Sequence, residues 1–262
     1  MIVWGIRISG LLLCLICLPV HAQDQALSVR DLVVKGDSVY AQFDNRAALE
    51  HYQAAIVLDS MHFDTRIKLS RTSYDYGLDL VAQNNMEAAY EEFQASIVHA
   101  RHLVAHFPDS AQSHFLLAAT LGNLALFKNG REKIILGRMV AEHSQEAISI
   151  DSLLAYPYVS LGIYYRELAN LSWIEKTLAK VFFGRLPKTS FEQALDLLRT
   201  ALKLRPNFPF LHFELGKTFL MLSENEEARR HFETLVSLTP ETTQDRRNQD
   251  YARDLLKNWK NQ

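Results

Sequence analysis

An all-α solenoid is the fold class this sequence predicts, with helical hairpins stacked side by side so that one concave face is left to bind something. Three observations carry that expectation. A spaced pattern of glycine, alanine and aromatic residues recurs at helix–turn–helix distances, and no alternating strand pattern competes with it after residue 29. Hydrophobic residues make up 48% of the 262, enough for a sizeable core.

The clearest copy of the pattern is Leu215-Gly216, then Phe219, Ala228, Phe232 and Pro240. These are the offsets of the tetratricopeptide helix–turn–helix unit. Gly216 and Ala228 are small where two helices approach, Phe219 and Phe232 fill the space beside them, and Pro240 with Thr239 marks the next helix start. One such unit cannot bury its own apolar face, so neighbours are required. A second copy begins at Leu161-Gly162 with Tyr165 and closes with Ala194, Leu198, Ala201 and Pro206. Its halves are too far apart, which makes residues of about 170–188 an insertion within one hairpin. Ser190 with Gln193, or Thr189 with Glu192, offers a capping box that restarts the helix after Pro187.

Earlier copies are weaker. Gly36 precedes a helix carrying Ala48, Tyr52 and Ala55; Ala89 and Phe93 begin one that runs to Phe107; Pro108-Asp109-Ser110 stops it. A helix from Ala111 to about Phe127 and another from Arg131 to Ile150 flank the Asn129-Gly130 turn. The result is a tetratricopeptide-like α-α superhelix of about four to five degenerate hairpins. A polar helix from roughly Gln244 to Trp259 caps the stack.

The first residues stand outside that core. Arg7, an apolar run from Ile8 to Leu18, and Val20-His21-Ala22 before Gln23 predict a cleaved export signal over 1–22 and a periplasmic or secreted protein. A short linker, 23–28, then leads into the solenoid, 29–262. Both cysteines, Cys14 and Cys17, fall in the signal, so helix packing alone holds the rest together. Without Arg7 one fewer than 28 basic residues faces 30 acidic ones, which argues against a nucleic-acid partner.

Further along, the run His114…Gly122, Lys133-Ile134, Gly137 and Ala147-Ile148-Ser149-Ile150 resembles the regulator of microtubule dynamics family. So does Leu161-Gly162…Ala169-Asn170-Leu171-Ser172-Trp173-Ile174-Glu175, followed by Phe183-Gly184…Pro187…Phe191-Glu192-Gln193-Ala194. The resemblance spans roughly residues 30–258 and implies an all-α repeat fold without enzymatic activity. It also implies a protein or lipid ligand, since eukaryotic members associate with microtubules and one relative has a lipid-binding repeat domain. An export signal sets this sequence apart, so the microtubule role is not carried over.

Local chemistry is sparse. The insertion would place Trp173, Ile174, Thr177, Leu178 and Val181 on one helical side, with Glu175, Lys176 and Lys180 on the other and Phe182, Phe183, Arg185 and Lys188 following. It reads either as an aromatic and cationic contact for lipid or a partner helix, or as a helix packed over the solenoid's edge. His99, His102 and His106 share one helix face, with His114 nearby in sequence; without cysteine or a His-Glu-x-x-His motif, a solvated cluster outweighs a metal site. Of Tyr156, Tyr158, Tyr164 and Tyr165, some must leave the core for the concave groove, where Arg66, Arg71 and Arg138 would suit a partner's carboxylate. No phosphate loop or nucleophile elbow is present. The sequence therefore predicts a non-catalytic scaffold without cofactor or metal, binding a protein or peptide in its groove, with a lipid-binding module as the rival.

Overall fold

The computed structural model describes residues 27–177, 187 and 189–259. Among them, eleven α-helices follow in order: α1 Val29–Tyr40, α2 Asn45–Leu58, α3 Phe63–Ala82, α4 Met86–His106, α5 Ala111–Leu124, α6 Gly130–Ile150, α7 Ala155–Asn170, α8 Phe191–Leu204, α9 Pro209–Met221, α10 Asn225–Ser237 and α11 Thr243–Trp259. Consecutive helices pair as α1–α2, α3–α4, α5–α6, α7–α8 and α9–α10, and α11 packs on α10. The architecture is an α-α solenoid of five hairpins with a closing helix.

Capping side chains set the helix starts. Ser28 and Asp31 exchange hydrogen bonds in a capping box at α1, and Asp44, Asn85 and Ser110 accept from the first turns of α2, α4 and α5. Of the two boxes open after the insertion, Ser190–Gln193 is the one formed at α8. The turns inside three hairpins share one geometry, with Phe43, Asn84 and Ser223 at φ 67, 60 and 61. Asparagine tolerates that left-handed conformation, whereas a bulky phenylalanine is strained there.

Four of the five hairpins are held closed by a small residue facing a large one. A Cβ added to Gly36 would stand 2.4 Å from Tyr52 Cε1, one on Gly77 2.6 Å from Phe93 Cε1, and one on Gly216 2.7 Å from Phe232 Cε1. Gly162 meets Leu198 at 3.0 Å, across the insertion. Tyr52, Phe93, Phe232 and Leu198 are fully buried, each contributing about 1.5–3 kcal/mol by apolar burial. Ala48, Ala89, Ala194 and Ala228 lie fully buried a turn before them. Leu161, Leu215, Phe219 and Ala201 join the same core, while Tyr165 stays partly exposed against Tyr164.

Several details differ from the sequence reading. Gly36 does precede the helix that carries Ala48, Tyr52 and Ala55, but it lies inside a helix of its own, α1, as the close-approach residue of the first hairpin. Helix α5 stops at Leu124, and Ala125–Phe127 tighten into a 3-10 turn that places Phe127 against Phe93 and Tyr90. Pro240 does not open α11. Asp245 accepts from the Glu241 and Thr242 N–H groups, both at 3.0 Å, and Thr242 Oγ1 accepts from Asp245 N, so the helix starts at Thr243. Pro206 sits in the loop before α9, whose first position is Pro209.

Gly77→Ala therefore forces the Phe93 ring aside and costs about 1–3 kcal/mol. Gly122→Ala, whose new Cβ meets only Val140 Cγ2 at 3.8 Å, is neutral or stabilises by up to about 1 kcal/mol. Urea denaturation of the two variants checks the contrast.

Candidate functional site

The first helices of the hairpins, with α11, surround one interior. Helix α5 touches α3 and α7, α7 touches α9, and α11 touches α3. The charges agree: the field of Tyr156 on α7 reaches Arg71 on α3, that of Asp245 on α11 reaches Asp75 on α3, and that of Glu214 on α9 reaches Tyr74 on α3. This inner face is the candidate site.

Most of its polar groups are engaged with one another. Tyr40 donates its hydroxyl to Asp75 at 2.6 Å, and burial pushes the Asp75 carboxyl up to about 6. Arg166 is 1% exposed; its guanidinium donates to Glu214 Oε2 at 2.7 Å and to Glu167 on the other edge, which ties α7 to α9. Arg205 donates from Nη2 to both Glu241 carboxylate oxygens at 2.6 and 2.7 Å, bonds the Tyr156 hydroxyl from Nη1, and lies over the Tyr156 and Phe208 rings. Asp79 draws three elements together: it accepts from Asn45 at the start of α2 at 2.7 Å, from Arg247 of α11 at 2.8 Å, and from Thr243. Arg246 stacks on the strained Phe43 at 3.7 Å. The polar C-terminal helix thus does more than cover the end of the stack. It reaches back to the first two hairpins.

The arginines and tyrosines singled out from sequence separate. Arg71 lies over the Tyr40 ring at 4.5 Å, on the inner face. Arg66 does not, and Arg138 lies near Tyr164. Tyr156 lines the interior, Tyr158 bonds a loop carbonyl, and Tyr164 packs beneath Gly137. Of the insertion, Trp173 and Ile174 are 78% and 63% exposed. Lys176 donates to the Ala169 carbonyl, and Glu175 forms a capping box with Ser172. Lys180, Phe182, Phe183 and Arg185 lie outside the described residues.

The histidines are not one cluster. Only His102 and His106 stack on each other at the solvated surface, at 4.0 Å. His99 and His114, with His143, His212 and His231, belong to a brace repeated at successive junctions. The fourth residue of α3, α5, α7 and α9 reaches back to the carbonyl of the preceding loop: Arg66 to Ser60 at 2.8 Å, His114 to Pro108 at 2.9 Å, Tyr158 to Ser152 at 3.1 Å and His212 to Pro206 at 2.8 Å. A histidine of the following helix completes three of these, with His99 on Arg66 at 3.3 Å, His143 on His114 at 3.0 Å and His231 on His212 at 3.0 Å. A carbonyl only accepts, so His114 and His212 carry a proton on Nε2 and receive one from their partners at Nδ1. Sequence reasoning missed this brace. Its signal was a polar side chain six residues after each loop carbonyl, disguised by different residue types. Burial holds His99 and His231 down to about 4 and lowers His143 and His212 as well. No group of three or more His, Cys, Asp or Glu side chains fit to hold a metal occurs among the described residues.

Stacked helical hairpins whose first helices line a common inner face define a tetratricopeptide-like solenoid. A thermophilic tetratricopeptide repeat protein of Thermus thermophilus has the same fold, with a TM-score of 0.64 over 86% of this chain and 98% of its own, at 17% identity. The chain belongs to the family described as regulator of microtubule dynamics protein 1-3, whose model matches residues 32–260. Regulator of microtubule dynamics protein 1 of Bos taurus is 23% identical over 242 residues, covering 91% of this chain and 74% of that protein. Regulator of microtubule dynamics protein 2 of Homo sapiens is 30% identical over 139 residues, 53% of this chain and 34% of that protein.

The buried ion pair and the histidine braces each have a measurable consequence. Glu214→Ala leaves the buried Arg166 guanidinium with the partly exposed Glu167 as its one carboxylate and costs about 3–5 kcal/mol in urea unfolding. The second consequence concerns acid. Histidines with lowered folded pKa values bind protons more readily unfolded, so their stabilisation is complete above about 6.5 and drains away toward about 4. Asp75, held up to about 6, acts in the opposite sense, as do Glu92 and Asp245, whose carboxyls burial also raises; the five lowered histidines outnumber these three. The urea midpoint accordingly falls between pH 7 and pH 5, and falls less in a His99→Gln, His231→Gln double variant.

Proposed function

We propose that this protein is a non-catalytic scaffold that binds a protein or peptide segment on its inner face. The observation that carries the reading is the composition of that face. Tyrosine and arginine side chains of α1, α3, α7 and α11 line it, among them Tyr40, Arg71, Tyr156 and Arg247, the residue types that dominate recognition surfaces. Three of its arginines, Arg166, Arg205 and Arg247, are engaged in ion pairs that join separate elements, which suits positioning rather than proton transfer. Site-specific photo-crosslinking in cells tests this. A crosslinker at Tyr156, on the inner face, traps a discrete partner, and one at the exposed outer residue Val57 does not; equal labelling from both positions would end the reading.

We also propose that residues 1–22 are removed on export. The exported protein then begins at Gln23, and intact-mass measurement of protein recovered from the producing cells reads the cleavage directly. The relatives' names connect them with microtubules, but an exported protein never meets tubulin, and the microtubule role is not part of the proposal.

One observation favours a second reading, a membrane-surface module. Trp173 and Ile174 are exposed at the mouth of the insertion, beside Lys176 and within the field of Lys133 on Glu175. Among the described residues no helix is long and apolar enough to cross a membrane, so such contact would be superficial. In that reading, replacing Trp173 and Phe182 with serine lowers the affinity for anionic liposomes, read by co-sedimentation, by about a hundredfold or more, the scale of two buried aromatic contacts. Unchanged co-sedimentation removes it.

A further inference from the structure

The closing helix α11 is held on its two sides by different forces. Its apolar residues Ala252, Leu255, Leu256 and Trp259 belong to the core of the last two hairpins, and Tyr251 packs edge-on against Phe213 and Phe232 there. Among the described residues, none of the apolar clusters built on α1 to α4 includes a residue of α11. Toward those helices α11 makes polar contacts instead. Arg247 donates to Asp79 at 2.8 Å, Thr243 donates its hydroxyl to the same carboxylate oxygen, and Arg246 lies over the Phe43 ring.

A seam of that kind parts without exposing a hydrophobic core. A guanidinium and a carboxylate regain their hydration when they separate, so the net strength of such a bond is modest, whereas apolar burial has no substitute in water. The apolar side of α11 therefore moves with the last hairpin, and the polar side is where the closed array gives way. What lies behind the seam is the inner face. Asp75, Glu214 and Asp245 are 5%, 4% and 2% exposed, so this part of the face is shut off from solvent while α11 lies across it.

We propose that α11 is an autoinhibitory strap: the Asp79 seam holds it across the inner face, and parting of the seam admits the bound segment. The proposal rests on the inner-face reading above for what is admitted, and on the contacts of α11 alone for the motion.

Two nitroxide labels on the intact protein measure the seam by double electron resonance. They are attached at the exposed positions Gln53→Cys on α2 and Asp254→Cys on α11, with Cys14 and Cys17 changed to serine. The parent gives one distance. Arg247→Gln, which leaves the Asn45 bond to Asp79 in place, adds a longer one, and so does Asp79→Asn. Each raises the open-to-closed ratio by about tenfold or more, the worth of one charge-assisted hydrogen bond, with helix content unchanged by circular dichroism. Arg229→Gln, which breaks an exposed pair with Glu233 on α10, leaves the single distance. An unchanged distance in both seam variants, a longer one in Arg229→Gln as well, or a longer one accompanied by loss of helix overturns the proposal. With a crosslinker at Tyr156, Asp79→Asn raises the yield of trapped partner, and a yield that stays level or falls overturns the autoinhibition. No trapped partner in the parent or in either seam variant counts against the inner-face reading instead, and the distances then decide the strap by themselves.

Discussion

Where Gly36, Gly77 and Gly216 meet Tyr52, Phe93 and Phe232, two antiparallel helices approach so closely that a single methyl group would not fit between them. Everything else in the array follows from that distance. It leaves the aromatic ring the space that a Cβ would take, and the fully buried Ala48, Ala89 and Ala228 lie one turn before the rings in the same helices. It also turns each hairpin into a wedge of defined thickness. Wedges of defined thickness stack with a defined rotation, and the rotation aims the first helices at one common interior. The hairpin of α7 and α8 keeps the seam with Leu198 in place of a ring, so an insertion of many residues is tolerated at the turn without disturbing the stack.

Between wedges, packing alone leaves a loop carbonyl to be satisfied at every junction. The fourth residue of each of four first helices performs that task with a guanidinium, an imidazole, a phenol and an imidazole again. What repeats from junction to junction is the geometry of the bond rather than the residue that makes it. Histidine is well suited to the completing position on the second helix. A neutral ring both donates and accepts, and can close a bond against either an arginine or another histidine.

Much of this was legible in the sequence and some was not. The hairpin count, the position of the insertion and the helix class followed from Gly216, Phe232 and their equivalents, because the close approach tolerates few residues and so leaves a spaced signature. The brace left only a spacing of six residues without a fixed residue type, since its chemistry is interchangeable. The separation of His99 from His102 was likewise invisible: one turn of helix moves a side chain from solvent into a junction, and only tertiary packing decides which side it takes. Arg71 and Arg66 look alike in sequence, yet one faces the interior and the other braces a loop. The polar character of α11 was legible, but polarity suggested a solvated cap. Its buried Asp245, Asn248 and Gln249 instead serve the fold.

The reach of α11 back to Asp79 changes the kind of object the solenoid is. An open stack of repeats is a line, in which each unit knows only its neighbours and the ends fray first. Asp79 accepts bonds from residues more than 160 positions later in the sequence, and Arg246 presses on Phe43 near its start. The line is joined into a loop, and neither end is a free end. Unravelling from the C-terminus must break contacts with the first two hairpins, so the outermost helix is coupled to the innermost. The cooperativity expected of this molecule is therefore that of a small globular domain, and its folding awaits the meeting of its two most distant parts.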